Sequence, residues 1–121
     1  MDKKISELPI IDSHINKAFA KNSNKILKEL LNLFIEEAPK LQSEINLAFQ
    51  KKQKNKLEDL LHKLKGSCSY CGWIRLKAVV NLLERSTSQS NYNKDLLDQF
   101  NRELKASLDT ARKITQVKTE I

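Results

Sequence analysis

Six consecutive residues, His62-Lys63-Leu64-Lys65-Gly66-Ser67, have types and spacing that could do chemistry. On a helix, at 100° per residue, Leu57, Leu60, Leu61, Leu64 and Cys68 fall within about 50° of one direction, and His62 points roughly 150° away from it. Lys65 and Gly66 then stand at the i+3 and i+4 positions that neighbour His62. Glycine inside a helix costs about 0.5–1 kcal/mol relative to alanine. Helical side chains lean toward the N-terminus, so residue 66 is the one whose side chain would overhang the imidazole. A solvent-facing imidazole, a nearby ammonium and a cleared overhang suit a nucleophile that carries an anion and is approached by another protein's backbone. A plain surface histidine beside a weak point in the helix satisfies the same spacing.

Other reactive residues form no comparable group. Cys68 and Cys71 make a CxxC, but both fall on the apolar stripe and read as small core residues rather than a redox or metal pair. Two cysteines are too few for a disulfide framework or a four-ligand zinc site. His14 stands alone and reads as a surface residue. No metal-ligand cluster and no Gly-rich phosphate loop is present, so no metal and no cofactor of the chain's own is expected.

These residues must be positioned by helices. Two Gly and two Pro in 121 residues leave little material for the turns of an all-β fold, and 40% hydrophobic residues suffice for one core. Apolar positions recur at helical spacing over about 12–20, 25–50, 56–71, 74–86 and 94–116. Asp12 is placed to cap the first segment. Pro39 lies within the second, where a kink or short break is expected. The polar run Gln50–Lys56 ends that helix, Gly72 stops the third, and Ser86–Asn93 is the clearest loop. The expected fold is all-α: a single domain over residues 1–121, built as an antiparallel four-helix bundle with a short extra N-terminal helix.

The balance of 22 Lys+Arg against 15 Asp+Glu gives a net charge of +7, with a pI near 9.5. This excess invites a second reading, a basic helical interaction module that binds nucleic acid or protein without phosphotransfer. Lys51, Lys52, Lys54 and Lys56 nevertheless lie at a helix connection without interleaved aromatics, which reads as a solvated run. No stretch approaches the roughly 20 apolar residues of a membrane span. Asp2, Lys3 and Lys4 lead into no apolar leader core, so a cytoplasmic location is expected.

The run His62-Lys63-Leu64-Lys65-Gly66-Ser67-Cys68-Ser69-Tyr70-Cys71-Gly72 resembles the signature of histidine-containing phosphotransfer (HPt) domains: His-x-x-Lys-Gly-Ser, a small residue, then a helix-ending Gly. Leu8-Pro9-Ile10-Ile11-Asp12, Phe34-Ile35-Glu36-Glu37-Ala38-Pro39 and Cys71-Gly72-x-x-Arg75-Leu76-Lys77 are similar to the C-terminal HPt domain of GacS/BarA-type hybrid sensor histidine kinases. The resemblance covers Leu8 to Glu84 and extends to the last helix only in length and periodicity. Trp73, where a smaller aliphatic residue is common, and Cys68, where Ala or Ser is usual, depart from the pattern and bear on packing.

The resemblance implies a phosphorelay intermediate in two-component signalling, a carrier without kinase activity of its own. His62 would accept a phosphoryl group from a receiver-domain phospho-aspartate and pass it to the Asp of a response regulator, with Mg²⁺ supplied by the receiver. Lys65 would help neutralise the phosphoryl group and Glu84 would orient the imidazole. Lys63, Gly66, Ser67, Ile15 and Phe19 would meet the partner. The implied partners are receiver domains of a hybrid sensor kinase and of a response regulator, with no small-molecule substrate and no nucleic acid. The isolated domain would be a monomer, tied to a membrane only through a parent sensor kinase. Lys63 and Lys65 would give part of the positive charge a target, because receiver sites are acidic and complementary charge speeds encounter.

Overall fold

The computed structural model describes residues 5–20 and 25–117, without the side chains of residues 6, 16, 18–20 and 117. The expected Lys21–Asn24 connection and the Phe19 side chain lie outside the described residues. A short 3₁₀ turn at Ile5–Glu7, which periodicity does not reveal, precedes α1 (Ser13–Ala20), α2 (Lys25–Gln50), α3 (Lys54–Cys71), α4 (Ile74–Ser88) and α5 (Lys94–Val117). Helix α2 packs on α3 and α5, and α4 packs on the same two, which closes a four-helix bundle. The fold is the all-α bundle with a short leading helix that the sequence predicts.

Each apolar stripe supplies one wall of the core. Leu31, Phe34, Ala38, Leu41 and Ile45 of α2 are buried, and so are Leu57, Leu61, Leu64 and Cys68 of α3. Of the kink or short break expected at Pro39, there is no break: α2 is one helix from Lys25 to Gln50. The proline removes one backbone donor, but buried residues on both sides keep the stripe in register and hold the turn together. Between α2 and α5, Asn101 Nδ2 donates to Asn46 Oδ1 at 2.9 Å, while Asn101 Oδ1 accepts from Gln42 Nε2 at 2.9 Å and Asn46 Nδ2 at 3.0 Å. A network satisfied in this way ties the two helices in one register.

Three helices end by the same device. Gln53 N–H donates to Ala48 O, Trp73 N–H to Cys68 O, and Asn91 N–H to Ser86 O, at 2.9, 3.0 and 2.9 Å. Each bond spans a residue in the left-handed region, namely Lys52, Gly72 or Ser90. Only one of these is a glycine, so composition underestimates the tight stops. It also misplaces boundaries: α3 begins at Lys54 rather than 56, and α4 continues to Ser88 rather than 86. Hydroxyls hold that extra turn, since Thr87 Oγ1 donates to Leu83 O at 2.8 Å and Ser88 Oγ to Arg85 O at 2.9 Å.

The N-terminal segment is pinned across the α3–α4 turn. Asp12 N–H donates to Gly72 O at 2.8 Å, and Ile74 N–H to Ile10 O at 3.1 Å. Asp12 Oδ1 accepts from His14 N–H at 2.8 Å, the cap expected for α1. Arg75 donates to Leu8 O through Nε at 3.1 Å and Nη2 at 3.0 Å, and its Nη1 lies 3.6 Å from Glu103 of α5. Trp73 is fully buried beneath this crossing, its ring centre 5.2 Å from that of Phe34. The indole fills the space under the turn that a smaller residue would leave.

Gly72 is required twice over. Its φ is +76°, and an added Cβ would lie 2.9 Å from Ile15 Cγ1 and 3.0 Å from Asp12 Cβ. Gly72→Ala should therefore destabilise the bundle by about 1–3 kcal/mol, lowering the urea midpoint at an unchanged m-value. A midpoint within error of wild type would refute this reading of the turn.

Burial pushes the Cys68 thiol up to about 12, with the neighbouring Cys71 adding to the shift, and burial pushes Cys71 up to about 11. The folded state thus holds these protons more tightly than the unfolded chain, whose thiols titrate near 9.0. Stability should be full below that value and fall as pH rises from about 9 toward 11 and beyond. Urea titrations in the pH 8–10.5 range should show the decline in wild type and a smaller one in Cys68→Ala/Cys71→Ala; equal slopes would contradict it.

Candidate functional site

The buried face of α3 determines what its other face shows. Leu57, Leu61 and Leu64 are 0% exposed and Cys68 is 1% exposed. That orientation leaves His62 and Lys63 exposed to solvent, with Lys65, Gly66 and Ser67 partly so. Steps of four along the exposed side lead from His62 to Gly66 to Tyr70. The fold has no internal use for a glycine at position 66: an added Cβ would meet nothing within 4 Å, and its φ is not positive. The two glycines of the chain thus have opposite standing, one demanded by packing and one not.

Grooves flank this ridge on both sides. Between α3 and α4, Glu58, Lys65, Asn81, Glu84, Arg85 and Ser88 line an open depression. There Lys65 Nζ lies 2.9 Å from Glu84 Oε1, with side chains 30% and 26% exposed. The Glu84 carboxylate, expected to orient the imidazole, is held on the Lys65 ammonium. A full opposite charge on the facing helix competes better for the carboxylate than a ring turned to water. Half-open pairs of this kind contribute about 0.2–1 kcal/mol, so the contact is readily exchanged.

Between α2 and α3, Lys63 borders a groove with Glu37, Lys40, Leu41 and Glu44. Both lysines beside His62 therefore have carboxylates nearby, Glu84 for Lys65 and Glu37 and Glu44 for Lys63. Further along, Leu30, Leu33, Phe34, Glu37, Ser67, Tyr70 and Cys71 surround a small apolar recess. Leu33 and Tyr70 on its rim are 47% and 67% exposed. Sequence reasoning passed over both; for Tyr70 the available signal was its spacing of eight from His62, off the apolar stripe.

Ile15, expected among the partner-facing residues, lies at the α3–α4 turn. It is half-buried against the core and touches the α3–α4 turn at Gly72, ten residues beyond His62, or about 15 Å along the helix axis at 1.5 Å per residue. Packing on the turn uses this side chain for the fold. Cys68 and Cys71 are buried free thiols with raised pKa values, in keeping with small core residues rather than a redox pair. Among the described residues there is no cluster of three or more His, Cys, Asp or Glu suited to a metal, and no helix long and apolar enough to cross a membrane.

Because nothing packs over position 66, Gly66→Ala should raise stability by about 0.5–1 kcal/mol through helix propensity alone. A lowered urea midpoint would mean that the fold does need glycine there.

No curated protein and no solved structure matches the chain. A family model for the Hpt domain matches residues 29–114, which takes in α3, α4 and most of α2 and α5. The chain belongs to the Hpt domain family, the phosphotransfer carriers that work with receiver domains in two-component signalling.

Proposed function

We propose that His62 is the phosphoryl acceptor of this chain and that it relays the group between two receiver domains. The observation that carries the reading is the exposed imidazole beside Gly66, a mid-helix glycine that internal packing does not require. Clearing the overhang at that position lets the backbone of a docked receiver reach the ring. Lys65, one turn along, supplies a cation for the phosphoryl oxygens.

The chemistry needs little from the chain itself. A ring nitrogen of neutral His62 attacks phosphorus with its lone pair while the other nitrogen keeps the proton. The N–P bond forms as the P–O bond to the receiver aspartate breaks, and that electron pair stays on the aspartate carboxylate. Transfer onward is the same exchange in reverse, to the aspartate of a response regulator. Charge on the moving group would be neutralised by Mg²⁺ held in the receiver's own site, with Lys65 helping from this side. This assigns the chain the part of carrier rather than kinase.

Receiver docking fits the ridge from His62 to Tyr70. Gly66 allows close approach, Lys63 and Ser67 border it toward α2, and the apolar pair Leu33 and Tyr70 gives the partner surface to bury. A donor in a hybrid sensor kinase and an acceptor in a response regulator would use this one face in turn, so they would exclude each other.

Incubation with a phosphorylated receiver should transfer acid-labile, base-stable phosphate to wild type and none to His62→Gln. Gly66→Gln should keep the helical spectrum and a urea midpoint no lower than wild type but slow transfer tenfold or more, equivalent to about 1.4 kcal/mol of barrier. Label persisting in His62→Gln, or unchanged rates in Gly66→Gln, would contradict the assignment.

A further inference from the structure

We infer that Glu84 acts on phosphotransfer through Lys65, holding its ammonium in the α3–α4 groove until a phosphoryl group on His62 draws it away. The inference rests on His62 as the acceptor and gives the ion pair beside it a task. Lys65 Nζ sits 2.9 Å from Glu84 Oε1 in a depression that His62 does not line. In the unmodified protein the cation is therefore engaged on the α4 side of the ridge. Residues three apart on a helix are neighbours, with Cβ atoms about 5–6 Å apart, so the flexible lysine stem can reach either partner.

Charge decides which partner holds it. A phosphoryl group carries nearly two negative charges near neutrality, against one on Glu84, and the half-open setting of the pair keeps the exchange cheap. Arg85, on the rim of the same groove, leaves a cation near the carboxylate once Lys65 has moved. Glu58, one turn before His62 and also on this rim, adds to the negative field that the phosphoryl group must overcome. By competing for Lys65, Glu84 keeps phosphohistidine less stable than a free lysine would make it. A relay needs this, because the carrier has to give the group up again. Glu84 is thus a positioning residue, acting on the reaction through the lysine.

A double-mutant cycle tests the coupling. Wild type, Glu84→Gln, Lys65→Ala and the double variant are equilibrated with a phosphorylated receiver, and the phosphohistidine fraction and its lifetime are read. Glu84→Gln should shift the equilibrium toward phosphohistidine about three- to fivefold in the wild-type background and less than twofold when Lys65 is already alanine. The ring ¹⁵N shifts of unmodified His62 should be the same in Glu84→Gln as in wild type. An equal shift in both backgrounds, no shift in either, slower uptake of the group from the receiver in Glu84→Gln, or altered ring shifts would each overturn the coupling while leaving His62 as acceptor. Failure of wild type to take up phosphate would instead remove the acceptor assignment, and the coupling with it.

Discussion

The rotation of one helix about its own axis governs the arrangement. Leu57, Leu61, Leu64 and Cys68 are all but inaccessible to water, and they lie on one face of α3 against α2 and α4. Burial of a leucine side chain is worth about 1.5–3 kcal/mol, so turning α3 far enough to hide His62 would expose several such groups at once. No interaction of the imidazole itself approaches that sum. The core therefore holds the histidine outward, and the ridge His62, Gly66, Tyr70 follows from the same orientation. Grooves on either side arise where α2 and α4 pack along it.

The two glycines show how fold and function can ask for the same residue on different grounds. Gly72 lies where the chain turns through the left-handed region beneath Asp12 and Ile15, and the bundle cannot close as it does with a side chain there. Gly66 lies in regular helix with open space over it, and the helix would be more stable with alanine. If His62 is the acceptor, as proposed, a residue that costs local stability beside the exposed ring serves what comes to it from outside, the backbone of a docked receiver.

Much of this was legible in the residue order, and the misses have specific causes. The stripes of α2 and α3 give the bundle and the outward histidine, because burial follows helical period. Helix ends were displaced by two residues where Lys52 and Ser90 adopt a conformation more often left to glycine, and where Ser and Thr hydroxyls bond back to the preceding turn. The role of Glu84 toward the imidazole came from the family resemblance; its pairing with Lys65 depends on how α4 faces α3, which sequence does not show. Tyr70 and Leu33 lie off the apolar stripes, so their positions imply exposure; that packing of α2 on α3 brings them to the rim of one recess is what one sequence does not show. Only part of the net charge of +7 had a target in the sequence, at Lys63 and Lys65. In three dimensions Lys65 is paired with Glu84, and Lys63 shares a groove with Glu37 and Glu44.

The central claim, that the outward histidine of α3 carries the phosphoryl group, is tested most directly by imidazole NMR. The chain has two histidines, His14 and His62, so each ring can be followed separately in a ¹H–¹⁵N spectrum while a phosphorylated receiver is added. The account predicts that one ring nitrogen of His62 alone moves to a phosphorus-coupled position, with His14 unchanged. Phosphorus coupling on His14, or on neither ring while the receiver loses its phosphate to this protein, would contradict it.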